Sequence, residues 1–76
     1  MSDKIARQIG KNILRLNAGE RTYMELGAAL NVSDSTISHW INGDRQPKAY
    51  ALYRMAKLFN CAMEDLMKGV EVYDYD

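Results

Sequence analysis

Residues 22–47 read TYMELGAALNVSDSTISHWINGDRQP, and the fold turns on this stretch. Thr22-Tyr23-Met24-Glu25 has the capping-box pattern, in which the Thr hydroxyl accepts from the backbone N–H three residues on and the Glu carboxylate accepts from the Thr N–H. A helix is expected from there to Leu30. Asn31 follows, a residue that tolerates the left-handed backbone commonly needed just past a helix end. Ser33 suits the N-cap of a further helix reaching Asn42-Gly43, where glycine fits a left-handed C-terminal position. Two short helices are thus predicted three or four residues apart, and Asp44-Arg45-Gln46-Pro47 reads as the loop after them.

Working outward, Ile5, Ile9, Ile13 and Leu16 recur at spacings of four, four and three, which marks an amphipathic helix over residues 3–17 ended by Ala18-Gly19. Its other side carries a basic stripe, Lys4, Arg7, Lys11 and Arg15. Downstream, Pro47 is expected in the first turn of a fourth helix, where its missing N–H would be unpaired anyway. Leu52, Met55, Ala56 and Phe59 supply that helix's buried stripe. Asn60 closes it, and Met63 to Lys68 predicts a short fifth helix stopped by Gly69. Met24, Met55, Met63 and Met67 are read as core or interface filler. The resulting fold class is all-α: a five-helix bundle with a helix-turn-helix formed by the second and third helices, spanning residues 1–69. Residues 70–76, VEVYDYD, form an acidic tail that is either a dimerisation strand, through Val70 and Val72, or frayed.

Placed at about 100° per residue, the third helix is two-sided. Ser35, Ser38, His39 and Asn42 share one arc, with Trp40, Ile37 and Ile41 opposite. Short hydroxyls and an imidazole can hydrogen-bond base edges, and none is long enough to hold a helix off the floor of a groove in DNA. The bland alternative is the small polar face that any surface helix has.

The same stretch, 22–47, resembles the lambda-repressor-like (XRE-type) helix-turn-helix family, which includes the phage Cro proteins and many small bacterial regulators. The resemblance rests on Thr22, Glu25 and Leu26, on Val32 and Ser33 at the turn, on Ser35-Thr36-Ile37-Ser38 and Trp40, and on Asn42-Gly43 and Pro47. Leu58-Phe59-Asn60-Cys61 with Glu64-Asp65-Leu66 extends it over roughly residues 5 to 68. It implies sequence-specific binding of double-stranded DNA by a transcriptional regulator, a repressor, with the third helix in the major groove and base contacts from Asp34, Ser35, Ser38 and His39. Tyr23, Thr36, Asn42, Arg45 and Lys48 are the positions expected at phosphate. Tyr23 stands where the family often has Gln; its hydroxyl could take the same contact, or the ring could pack. Gly27 stands where Ala is usual, a small residue that permits close approach of the two helices. Asp34 puts a negative charge at the start of the reading helix, favourable toward the helix dipole, where it supports the cap or accepts from a cytosine amino group.

Composition narrows the alternatives. At 47% hydrophobic and 26% charged residues, the chain has the apolar content of a packed core and not of a disordered segment. The net charge is zero, but it is unevenly spread: residues 1–58 hold nine Lys or Arg against five Asp or Glu, and residues 59–76 hold one against five. One cysteine, Cys61, and one histidine exclude an internal disulfide and a four-ligand zinc site. No cofactor, metal or small-molecule ligand is expected, and no catalysis, because Cys61 has no partnering base in the pattern. Without a membrane-length apolar run or a signal peptide, a cytoplasmic protein is expected, in a bacterial or phage-infected cell. Its partner would be a palindromic operator bound by a homodimer, joined through the fifth helix with Leu66 and Met67 or through the tail. The competing reading is a protein-binding module, antitoxin-like or an adaptor, that uses the same fold with the acidic end as its contact surface.

Overall fold

In the computed structural model, which describes residues 3–70, the chain forms five helices: α1 Lys4–Asn17, α2 Tyr23–Leu30, α3 Asp34–Asn42, α4 Ala49–Phe59 and α5 Met63–Leu66. The expected all-helical bundle is the observed one. α1 packs on α3 and α5, α2 packs on α3 and α4, and α4 packs on α5, so α3 is held between α1 and α2. Among the described residues no helix is long and apolar enough to cross a membrane. The tail Glu71–Asp76 and the proposed pairing of Val72 lie outside the described residues.

The caps form as their residue types require. Glu25 N donates to Thr22 Oγ1 at 3.1 Å and Thr22 N to Glu25 Oε1 at 2.9 Å, the two halves of the capping box. Thr36 N donates to Ser33 Oγ at 3.1 Å, and Ile5 N to Asp3 Oδ1 at 2.9 Å. Asn31 and Asn60 take the left-handed conformation at φ 60° and 55°. The hydrogen bond from the Thr22 backbone N–H, helped by the Thr22 hydroxyl, holds the Glu25 carboxyl below its ordinary value of 4.5. The Gln46 side-chain amide does the same to Asp3, ordinarily 3.8. Both groups bind protons less readily folded than unfolded, so what they add to stability is complete above the ordinary carboxylate range and is lost as pH falls through it. Melting temperature should therefore drop between about pH 4 and pH 2. The acid limb of Glu25→Gln, which keeps the accepting oxygen, should be shallower than that of the wild type in thermal melts across this range.

The core gathers Ile9, Ile13, Leu26, Leu30, Ile37, Trp40, Ile41, Met55, Ala56 and Leu66. Several expected positions differ from those observed. On α1 the buried residues are Ala6, Ile9, Gly10, Asn12, Ile13 and Asn17, while Ile5 is 40% exposed. The helix is turned by roughly 50° from the arc its large aliphatics suggest, because Gly10 lies against the α3 backbone at Trp40 and Ile41. Leu16, Leu52 and Phe59 are only half-buried at the margin of the core. Of the four methionines read as filler only Met55 is core; Met24, Met63 and Met67 are exposed. α4 starts at Ala49 with Lys48 as its N-cap, so Pro47 lies just outside the helix, its buried ring anchoring the entering chain. α5 stops at Leu66 and does not reach Lys68, because the Leu66 and Lys68 carbonyls are both taken by the Asn12 side-chain amide, at 2.8 Å each. With Leu66 fully buried, only Met67 of the expected interface pair on this helix is open to a partner.

Candidate nucleic-acid interface

α3 is positioned from both ends and from behind. At its start the turn from α2 comprises Asn31, Val32 and Ser33, and Val32 N donates to Gly27 O at 2.9 Å. A Cβ on Gly27 would lie 2.6 Å from the Val32 carbonyl oxygen, so the missing side chain lets the turn close tightly. The close approach expected at Gly27 is therefore to the turn backbone, which then sets where α3 begins. At its end Gly43 is left-handed, at φ 82°, and a Cβ there would stand 2.3 Å from the Arg7 Cγ. Glycine is required at that position on both counts. Behind, Ile37, Trp40 and Ile41 are buried, as the helical arc requires.

The opposite face of α3 is polar and open. Asp34, Ser35 and Asn42 are exposed, and Thr36, Ser38 and His39 are half-exposed. Asn42 Nδ2 donates to Ser38 Oγ at 3.3 Å, which ties two of the face's side chains together. Thr36 Oγ1 lies 3.0 Å from Ser33 Oγ, so its hydroxyl is shared with the helix cap. His39 Nδ1 pairs with Asp44 Oδ2 at 3.2 Å, which orients the ring and leaves Nε2 for another partner. Sequence reasoning misses Asp44; the signal was an acid placed just past the glycine that ends the helix.

The loop after α3 folds back on it: Asp44 N and Arg45 N both donate to His39 O, at 2.9 and 3.4 Å. The backbone of Arg45 is thereby fixed beside the last turn of the polar face, with its side chain exposed. Lys48 is exposed at the α4 N-cap. Neither is in an ion pair among the described residues. Tyr23 is the first residue of α2 and 40% exposed, free of any hydrogen bond to its hydroxyl among the described residues. Also unforeseen was the brace from α1, in which Arg7 packs beneath Gly43 and Asp3 accepts from the Gln46 side chain. Cys61 is remote in character from a reactive thiol, since burial and the charge of Asp65 push its pKa up. Among the described residues no cluster of His, Cys, Asp and Glu could hold a metal ion.

A helix-turn-helix family model matches residues 13–66, most of the chain and all of α2 and α3. The chain belongs to this helix-turn-helix family. The fold is also that of solved repressor domains. The SOS-response transcriptional repressor LexA from Eubacterium rectale superposes with a TM-score of 0.82 at 24% identity, over 100% of this chain and 84% of that one. The P22 c2 repressor, solved in complex with synthetic operator 9T, gives 0.73 at 26% identity over 80% and 94%. A hydroxypropylphosphonic acid epoxidase from S. wedmorenis gives 0.75 at 14% identity. It covers 88% of this helix-turn-helix chain but only 36% of its own, a likeness of fold alone. No curated protein sequence matches the chain.

Proposed function

We propose that this helix-turn-helix protein is a sequence-specific regulator of transcription, a repressor, that binds double-stranded DNA with α3 in the major groove. The observation that carries this reading is the open polar face of α3, short in its side chains, rigidly backed by Ile37, Trp40 and Ile41 and ending against the loop that presents Arg45. Ser35, Ser38, His39 and Asp34 read bases. Asn42, Arg45 and Lys48 contact phosphate, and Tyr23 and Thr36 do so through their hydroxyls at the starts of α2 and α3. Membership of the family supports it, as does the P22 c2 repressor, whose structure holds an operator. The site of action is the cytoplasm of a bacterium or a phage-infected cell. Two copies would bind a palindrome with half-sites about one helical turn, roughly 34 Å, apart. The exposed Met63 and Met67 beside the fully buried Leu66 offer the start of a dimer surface.

The test is selection of a site from a randomised duplex library, with salt titrations of the wild type, Ser35→Ala, His39→Ala and Arg45→Ala on the selected site. An enriched palindrome is expected. Ser35→Ala and His39→Ala should lose about 1–3 kcal/mol of discrimination at single base positions. Arg45→Ala should weaken all duplexes alike and reduce the slope of log K against log salt by about one. The rival, a protein-binding module, draws on a different surface. On α4 the exposed rings of Tyr50 and Tyr53 stack at 6.5 Å, with Arg54 over the first and Lys57 over the second. No enrichment from folded protein at low salt would select that reading.

A further inference from the structure

The basic stripe of α1 has no part in the polar face of α3, yet it lines a surface hollow of its own. Lys4, Arg7 and Lys11, with the exposed Ile5, form one wall of an open groove of about 420 Å³, and Gly69 and Val70 form the other. None of the three cations is in an ion pair among the described residues. The chain is brought to this groove by fixed contacts. Asn12 Nδ2 and Gln8 Nε2 donate to Lys68 O at 2.8 and 3.2 Å, Gly69 turns at φ 83°, and Val70 N donates to Met67 O at 3.0 Å while its side chain packs half-buried on the core. Val70 is thus committed to its own chain's turn.

Beyond Val70 the chain continues as Glu71-Val72-Tyr73-Asp74-Tyr75-Asp76, three acids and no base. We propose that this acidic segment docks in cis along the Lys4–Arg7–Lys11 groove and there competes with DNA phosphate, restraining the affinity of the regulator. Length permits it: six extended residues reach about 20 Å, while Lys4 to Lys11 spans about 10 Å of helix. Chemistry permits it too, since the segment offers three carboxylates and the apolar Val72 to a groove lined by three cations and the exposed Ile5. The groove also adjoins the DNA face, because Arg7 packs under Gly43 and Asp3 holds Gln46 in the loop that carries Arg45. The docking stands independently of the proposed DNA-binding function; the competition rests on it.

Docking is read without DNA, by paramagnetic relaxation in the full chain with a nitroxide on Tyr75→Cys in a Cys61→Ala background. The amides of Lys4, Arg7, Gln8 and Lys11 should broaden at low salt, and the broadening should vanish in Lys4→Glu/Lys11→Glu. Unbroadened α1 amides overturn the proposal. Broadening seen only when labelled and isotope-enriched copies are mixed overturns docking in cis in favour of a second copy. Competition is read by comparing the wild type with Glu71→Gln/Asp74→Asn/Asp76→Asn on a duplex. Surface ion pairs are worth little singly, so three should restrain binding about fivefold at low salt, a difference that closes at about 0.3 M salt as screening sets in. Equal affinities in the presence of docking overturn the competition. Absence of DNA binding by both proteins overturns the function and the competition together, while the relaxation data still decide the docking.

Discussion

Gly10→Ala is expected to cost the fold about 2 kcal/mol, although alanine is the better helix former by about 1 kcal/mol. The reason lies in where α1 crosses α3. A Cβ built on Gly10 stands 2.3 Å from the Ile41 carbonyl oxygen and 2.6 Å from that of Trp40. Both obstacles are backbone, at the end of a capped helix, so the clash cannot be relieved by a rotamer change; the two helices must part. Overpacking of this kind typically costs about 1–3 kcal/mol and occasionally more, and the parting also loosens Ile9, Ile13, Ile37 and Ile41 across the seam. Gly10→Val, with a bulkier, branched side chain and a smaller gain in helix propensity than alanine brings, is expected to leave most molecules unfolded at 25 °C, since a domain of this size holds only about 3–5 kcal/mol in its core. Urea titration monitored by helical circular dichroism checks both. A Gly10→Ala protein as stable as the wild type would show that α1 can back away from α3 at no cost.

The second large effect is expected at Asn12, which is 3% exposed and donates both amide hydrogens to the carbonyls of Leu66 and Lys68. Its Oδ1 accepts from Gln8 and Arg15, at 3.4 and 3.3 Å. One side chain thus closes the far end of the chain onto α1. α5, at four residues, is too short to hold itself by its own hydrogen bonds. Asn12→Ala leaves the buried Leu66 carbonyl without its side-chain donor and the Lys68 carbonyl with Gln8 alone, at about 1–3 kcal/mol for a truly buried group, so a loss of about 2 kcal/mol is expected by denaturant titration. Asn12→Asp is nearly isosteric and should be worse at neutral pH, because carboxylate oxygens would confront carbonyl oxygens. The introduced carboxyl would be held neutral more strongly in the folded than in the unfolded state. Its raised pKa means that stability is best below the ordinary carboxylate range and is lost as pH rises through the folded value, the reverse of the wild-type acid limb. A flat pH dependence for Asn12→Asp would count against the two carbonyl contacts.

These two positions also show why part of the fold was legible in the sequence and part was not. Caps and turns are local: Thr22 with Glu25, Ser33 with Thr36 and the left-handed Asn31, Gly43 and Asn60 each need only the residues around them, and all form as read. The faces of α3 were equally legible, because Ile37, Trp40 and Ile41 differ sharply from Ser35, Ser38 and Asn42. α1 misled because periodicity weighs large aliphatics and is silent on close approach. Gly10, which lies against the α3 backbone, and the fully buried Ala6 add little apolar signal, and Ile5 adds much while standing half in solvent. Nothing in the sequence pattern marks Asn12, because its contact with the end of α5 spans more than fifty residues of sequence. In the candidate interface the residue types could be named from the pattern, but their pairing could not. That Asp44 engages His39 and Asn42 engages Ser38 depends on the loop turning back over the helix end.

The seam between α1 and α3 has an optical consequence. The chain's one tryptophan, Trp40, is 7% exposed there, and its own carbonyl is one of the two that Gly10 abuts. Its fluorescence is therefore an intrinsic gauge of how the DNA-facing helix sits on its support. Emission should be blue-shifted in the native protein. A red shift in Gly10→Ala that precedes loss of helical dichroism would report α3 swinging away while still helical, a displacement that could be tracked in solution without any label.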